Sequence, residues 1–280
     1  MSIWVQTLVK NEERYLWFAV MSVIEHVDRV LIWDTGSTDN TVAIIKEMLS
    51  LYPKKIDFKE VGEVDIYKYT DVRNEMLQAT RSDWFMMLDG DEVWWDSAIK
   101  NHIQTIEENR NKLDTLVTKY FNVVGDIYHY QGENAGRYSI DGVTGHQNLR
   151  LINKNIPGLH FAKPHGQQGL FDLNGGLIQE LDNKRRKHMG FGYMHFTNVI
   201  RSTSRTNDLK VPKRDIKLKV EKGTPFPRDF YFPEVFFRKK PDIVPSPWQV
   251  SDLKFNFKSA FISPLKNIKR NLKLDGKSGY

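Results

Sequence analysis

Cysteine is missing from the 280-residue chain, which excludes a disulfide framework and any thiolate metal site and suits a reducing compartment, the cytoplasm by default. Long apolar runs are missing as well. The longest, Trp17 to Ile24, is about eight residues against the roughly 20 that span a bilayer. No basic segment and no small-residue cleavage site accompany the apolar N-terminal stretch Ile3 to Val9, so the expectation is a soluble or peripheral protein without a signal peptide. There is no internal repeat and no low-complexity tract. What is present excludes the disordered and fibrous classes: 40% hydrophobic residues, 12% of the chain aromatic, supply one large core, or a main domain with a smaller appendage.

The net charge of +6 is unevenly spread. Residues 201–280 hold 19 Lys/Arg against 8 Asp/Glu, leaving 22 against 27 in residues 1–200. This step places a domain boundary near residue 200, with a basic C-terminal extension over 201–280.

Over the first hundred residues strand-like and helix-like patterns alternate, which predicts βαβ units and a mostly parallel sheet. Ile3 to Val9 reads as a buried strand. Leu16, Ala19, Val20, Val23 and Val27 fall at helical spacing, and Arg29 to Trp33 is again strand-like, ending at Asp34. Ser37 or Thr38 is placed to cap a helix whose apolar face is Val42, Ile45 and Leu49. A strand over Ile56 to Val61, a helix marked by Val72, Met76 and Ala79, and a strand over Trp84 to Leu88 follow. From about Leu113 to Ile152 short β-prone runs suggest mixed or antiparallel sheet, and residues 153–194 read as loop-rich.

In open α/β sheets ligands sit at the C-terminal ends of the parallel strands, so the residues where strands stop matter most. Here those are Lys10-Asn11-Glu12, Asp34 to Asp39, and Asp89-Gly90-Asp91-Glu92. Asp89 and Asp91, two apart on extended backbone, point the same way. Paired hard carboxylates suit Mg²⁺ or Mn²⁺ on a diphosphate, although Asp-Gly is also a common turn dipeptide.

These stretches together, Val9-Lys10-Asn11-Glu12-Glu13, Trp33 to Thr41, Arg73-Asn74 and Leu88 to Val93, resemble in order and spacing the inverting glycosyltransferases of family 2. The resemblance covers roughly residues 3–95. It implies a GT-A fold, a Rossmann-like mixed sheet flanked by helices, over residues 1–200. It further implies transfer of a sugar from a nucleotide diphosphate, UDP first and dTDP or GDP next, onto a glycan or lipid-linked acceptor with a divalent metal, Mn²⁺ or Mg²⁺. Carried over residue by residue, Leu8, Val9, Lys10, Asn11 and Asp34 would line the base pocket, and Arg73 would touch the nucleotide or diphosphate. Asp91 would ligate the metal directly, with Asp89 at the ribose or the metal's waters and Glu92 behind them. His195, in Tyr193-Met194-His195-Phe196, resembles a downstream histidine that completes the metal or diphosphate site in many relatives; a histidine among aromatics is otherwise a packing residue. Arg201 and Arg205 follow within reach.

The acceptor's general base is the thinnest inference. Relatives often carry a His-Glu pair where this chain has Lys163-Pro164-His165-Gly166-Gln167, and the Glu is absent. Asp141, Asp172, Glu180 and His165 are the candidates, while His146, His160 and His188 read as structural or surface residues. In the tail, lysines and arginines interleaved with Trp248, Phe255, Phe257 and Phe261 either hold the protein at an anionic membrane or pack against the main domain. Two rival functions fit less well. A sugar nucleotidyltransferase would open with a glycine-rich phosphate loop, and Val9 to Glu13 has no glycine. A nucleic-acid-binding protein would leave the acidic strand ends unexplained.

Overall fold

The strand β1 (Ile3–Val9) is buried along nearly its whole length, as a strand covered on both faces must be. It pairs in parallel with β2 (Arg29–Asp34), and β2 with β3 (Ile56–Glu60); the helices α1 (Leu16–Val23) and α2 (Thr41–Leu51) make the connections. After α3 (Lys68–Ala79) the chain returns on the other side of β1 as the parallel strand β4 (Trp84–Met87). The computed structural model describes residues 1–181, 183–271 and 277–278.

Past β5 (Glu92–Trp94) and α4 (Asp96–Glu108) the sheet becomes mixed. Strand β6 (Thr115–Val124) turns at Gly125 into β7 (Asp126–Tyr130). The short hairpin β8 (Tyr138–Ile140) and β9 (Val143–Gly145) leads to β10 (Gln147–Asn153), which inserts antiparallel between β4 and β6. The spatial order is β7-β6-β10-β4-β1-β2-β3. Beyond a small hairpin of β11 (His160–Ala162) and β12 (Gly169–Phe171), β13 (Arg186–His195) runs parallel to β6 and antiparallel to β5. The chain then forms α5 (Arg205–Leu209), α6 (Arg214–Lys217), β14 (Thr224–Pro225) beside β7, and α7 (Leu253–Asn271).

Sequence periodicity placed the elements from β1 to β4 and the strand runs at β6, β7 and β10, and three readings change. The helix after β2 starts at Thr41, not at a Ser37 or Thr38 cap. Ser37 instead donates to Asp34, and the Thr38 amide donates to Asn11 Oδ1 at 2.7 Å, so both residues belong to the strand-end turn. The stretch 153–194 contains all but the last residue of the ten-residue strand β13. Its charged opening Arg186-Lys187-His188 and its glycines hide the alternation, while Tyr193 supplies the packing by stacking on Trp94 at 5.0 Å and on Tyr120 at 5.1 Å. A buried aromatic of this kind removes on the order of 200 Å² from water, about 5 kcal/mol before entropy is counted.

The third change concerns the charge step near residue 200, which is not a break in the core. Val235, Phe236 and Val244 are buried in the same cluster as β1 and α1, with Phe226, Phe230, Phe232 and Trp248 packed against it. Phe226, Phe230, Phe232, Phe236 and Trp248 are therefore core material, while Tyr231 and Phe237 stay exposed. No helix among the described residues is long and apolar enough to cross a membrane.

Candidate active site

The C-terminal ends of β1, β2 and β4 open onto a cavity of about 700 Å³. Leu8, Val9 and Lys10 leave β1 along one wall, Thr35 follows β2, and Asp89, Gly90 and Asp91 follow β4. Gly90 is closely packed here: a Cβ would sit 3.0 Å from Glu12 Cγ and 3.3 Å from Val9 Cγ1. A larger residue there would need the Glu12 or Val9 side chain to give by a few tenths of an ångström.

Carboxylates and guanidiniums alternate around the acidic turn. Asp89 takes Arg150 at 3.1 Å and Arg73 at 3.4 Å, and Arg150 also pairs with Glu92. Asp91 takes Arg201 at 2.7 Å, and the same nitrogen lies 3.0 Å from Glu12. Burial pushes the Asp91 carboxyl up, but Arg201 and His195 outweigh it and hold the group well below the usual carboxylate range. Asp89 is also lowered, burial being overcome by Arg150 and Arg73. Glu12 and Glu92 go the other way: burial wins over the neighbouring arginines and raises both to about 7.

Asp89, Glu92 and His195 each present a ligand atom within 4.8 Å of the others. His195 Nε2 is 3.5 Å from Asp91 Oδ1, a charge contact longer than a good hydrogen bond. Among the described residues, Asp91 Oδ1 and His195 Nδ1 are both buried without a hydrogen-bond partner.

The remaining expected residues divide by position. Arg73, Leu8, Val9 and Lys10 line the cavity. Asn11 and Asp34 do not. Asn11 bridges outward, donating to Asn207 O at 2.8 Å, and the Asp34 carboxylate closes its own turn by accepting the Gly36 and Ser37 amides, both at 2.9 Å. Of the candidate bases, only His165 reaches the cavity. Burial, reinforced by Lys217 and Arg73, draws its pKa down to about 4. Asp141 pairs with Arg186 at 2.5 Å and His188 at 2.8 Å. Asp172 accepts the Asn174 and Gly176 amides at 3.0 and 2.7 Å and so holds a turn. Glu180 is exposed and Arg205 lies outside the cavity. His146, read from sequence as structural, does line it.

Among the cavity residues that escaped the sequence reading, Arg150, Arg214 and Lys217 stand nearest the acidic turn's charges. Arg150 carries a usable signal, since an arginine inside the apolar strand run Leu149-Arg150-Leu151-Ile152 must be buried against a carboxylate. Arg214 reaches back from α6 to the exit of β1, donating to Lys10 O at 2.9 Å, Asn11 O at 2.5 Å and Glu12 at 2.5 Å. Glu13 fixes the same return: burial pushes its carboxyl up, yet hydrogen bonds from Thr203, Ser202 and Asn40 bring it below its ordinary value. The segment after residue 200 thus forms part of the cavity wall.

Compared with known proteins, residues 5–165 match the profile of Glycosyl transferase family 2. The chain belongs to this family. A TPR repeat-containing protein of Synechococcus elongatus is 24% identical over 158 residues, 56% of this chain and 33% of that protein, so the chain spans about a third of the length of this curated relative. Among solved structures, S. aureus TarS 1-349 in complex with UDP-GlcNAc is 14% identical, with 98% of this chain and 77% of that chain covered and a TM-score of 0.46. Glucosyl-3-phosphoglycerate synthase from Mycobacterium tuberculosis, in complex with Mn²⁺, UDP-glucose and phosphoglyceric acid, is 16% identical, with 70% and 72% covered and a TM-score of 0.45. The large mixed sheet flanked by helices is the layout that the GT-A resemblance led one to expect.

Proposed function

We propose that the chain is a glycosyltransferase that moves a sugar from a nucleotide diphosphate, UDP being the first to test, onto an acceptor hydroxyl with a divalent metal. Inversion at the anomeric carbon is what the family implies. The observation that carries this reading is the cavity itself, where an acidic turn at the end of a parallel strand meets four buried arginines, Arg73, Arg150, Arg201 and Arg214.

The donor set fits a metal. Two hard carboxylates and an imidazole suit Mn²⁺ better than an oxygen-only cation such as Ca²⁺, and the unpartnered Asp91 oxygen beside them is a group that a cation would satisfy. Asp89, Glu92 and His195, with the free oxygen of Asp91, would hold it, and the ion would neutralise charge building on the leaving diphosphate. The arginines do the rest by position. Arg73 projects from α3 into the space beside Asp89, where a guanidinium preorganised toward a developing anion needs no rearrangement as the bond breaks. Arg150 and Arg201 hold the acidic turn in shape against its own repulsion.

His165 is the group we assign to the acceptor's proton. Of the four candidates it alone lines the cavity; burial, with Lys217 and Arg73, keeps the ring neutral at pH 7 and makes it a weak base there, so its claim rests on position. Calorimetric titration of UDP, GDP and dTDP with Mn²⁺, and again with excess chelator, tests the donor side. Equal affinity for all three, or affinity indifferent to chelator, would remove the nucleotide specificity or the metal from the proposal.

A further inference from the structure

The cavity has a second pole that the donor chemistry leaves unused. Arg137 enters from the turn before β8, Lys219 from the segment after α6, and Lys266 and Arg270 from α7. Lys219 is lowered by burial and then by Lys266 and Arg137, so these cations share one electrostatic neighbourhood. Lys217, two residues earlier, is lowered by burial and then by Arg201, with Asp91 and Asp89 opposing, so it faces the acidic turn. The second pole's carboxylate is Glu221, and Glu221 is already engaged by Arg270 at 2.7 Å and Gln131 at 3.0 Å. Arg137, Lys219 and Lys266 therefore remain as a positive excess facing the cavity. Beside them Asn122 is only 7% exposed and lines the cavity, and its Oδ1 is buried without a hydrogen-bond partner among the described residues.

We propose that this pole is the acceptor subsite and that it takes a phosphate-bearing acceptor. Arg137, Lys219 and Lys266 receive the phosphate oxygens, and the Asn122 carbonyl accepts a hydrogen bond from a hydroxyl of the same molecule. The assignment rests on the transferase reading for the word acceptor, while the anion site itself stands on geometry. The test titrates inorganic phosphate, then glycerol 3-phosphate, into protein saturated with UDP and Mg²⁺. Phosphate should bind alongside UDP, and Arg137→Gln with Lys219→Gln should weaken it by about tenfold or more with UDP affinity changed less than about twofold. Phosphate that is displaced by UDP, or that ignores the double variant, overturns the subsite. Phosphate binding that depends on Lys219 in a protein that fails to bind any nucleotide would keep the subsite and sink the transferase reading.

A different observation on α7 bears on where such an acceptor resides. Leu253, Phe257, Phe261, Leu265 and Ile268 repeat at helical spacing and are 59–88% exposed, which makes an apolar stripe unpartnered among the described residues. The opposite side of the helix is the packed one: Ser259 and Ser263 are buried, Lys266 donates to Val220 O at 3.1 Å, and Arg270 pairs with Glu221. Lys254 and Lys258 are exposed along the stripe's flank, and the helix contains no Asp or Glu. We infer that α7 lies flat on an anionic lipid bilayer, its apolar stripe in the acyl boundary and its lysines at the headgroups. A continuous apolar stripe with lysines on its flank and no carboxylate in the helix is the pattern that an anionic bilayer surface takes. The helix that meets the lipid also lines the cavity through Lys266 and Arg270, which fits a phosphate carried on a lipid.

Co-sedimentation with vesicles of phosphatidylcholine, with and without phosphatidylglycerol, tests this on the full chain. Binding should require the anionic lipid, weaken with salt, and fall by about tenfold or more in Phe257→Ser with Phe261→Ser. UDP binding and circular dichroism of that variant should be unchanged. Absence of vesicle binding at low salt, or binding that the serine variant leaves intact, overturns the membrane assignment; in the first case a soluble phosphorylated acceptor is left as the ligand of the basic pole.

Discussion

Arg214 offers the sharpest test of whether the segment after residue 200 belongs to the site. Its side chain is 2% exposed and meets four acceptors: the backbone carbonyls of Lys10 and Asn11, Glu12, and Asp208 at 3.1 Å. Truncation to alanine leaves the fully buried Asp208 without its cation and two β1-exit carbonyls without donors. Breaking a buried pair by removing one partner costs about 3–5 kcal/mol, most of it the penalty on the charge left behind. At roughly 2.1 cal/mol/K per residue the unfolding entropy of a chain this long is about 0.6 kcal/mol/K, so the melting temperature should fall by about 5–9 °C. Arg214→Met, which keeps much of the volume, should lose nearly as much. Adding Asp208→Asn to it should recover part of the loss, because the orphaned charge is then gone. Differential scanning calorimetry reads the stability, and UDP titration reads the site, where affinity should drop because Lys10 and Glu12 line the cavity. A melting temperature within about 2 °C of the parent for Arg214→Ala would refute the argument, since a buried, fourfold-bonded arginine cannot be that cheap to remove.

Arg73→Ala should weaken UDP by about 1.5–3 kcal/mol, the usual worth of a hydrogen bond to a charged group, measured by calorimetry; an unchanged dissociation constant would leave Arg73 as a partner of Asp89 alone. Asp89→Asn should lower turnover on the order of 100-fold, about 2.7 kcal/mol, with Mn²⁺ affinity falling in parallel by electron paramagnetic resonance. His165→Gln should depress kcat and leave the UDP dissociation constant within about twofold, as expected of a group that acts on the acceptor; equal losses in both would place it at the donor. His102 supplies a pH test away from the cavity. Burial lowers its pKa to about 4, the Ala98 carbonyl opposing weakly, against about 6.5 when unfolded. The unfolded chain therefore binds the extra proton between those values, so the contribution is complete above pH 6.5 and is lost as pH falls toward 4, about 3 kcal/mol in all. Denaturant titrations of His102→Gln should show a shallower acid loss than the parent.

What could be read from the sequence follows from how far apart the cooperating residues lie. Asp89 and Asp91 were legible because both belong to one turn at the end of one apolar strand, and a strand end is a place the fold always points at ligand. Arg150 meets Asp89 across 61 positions and Arg214 meets Glu12 across 202. No local pattern encodes such a meeting. It exists only because β10 inserts antiparallel beside β4 and because the chain folds back over the β1 exit after β13. The charge step near residue 200 misled for a related reason: net charge records the solvated face of a segment, whereas Val235, Phe236 and Val244 record where that segment is anchored.

Single carboxylates fare worst. Asp34, Asp141, Asp172 and Asp89 look alike in a sequence, and their fates are set by what donates to them. Asp34 and Asp172 are filled by amides of their own turns, at 2.9 Å and at 2.7–3.0 Å. Asp141 is filled by Arg186 and His188 from β13. Among the described residues Asp89 is held by Arg73 and Arg150, and its side chain stays partly open to the cavity. An amide-capped carboxylate has its lone pairs committed by the backbone, which cannot withdraw without unfolding the turn. One held by arginine side chains can exchange those partners for a cation or a ligand. That difference, invisible in composition and spacing, is what separates a structural aspartate from one available for chemistry, and it predicts that Asp172→Asn will spare UDP binding while Asp89→Asn weakens it.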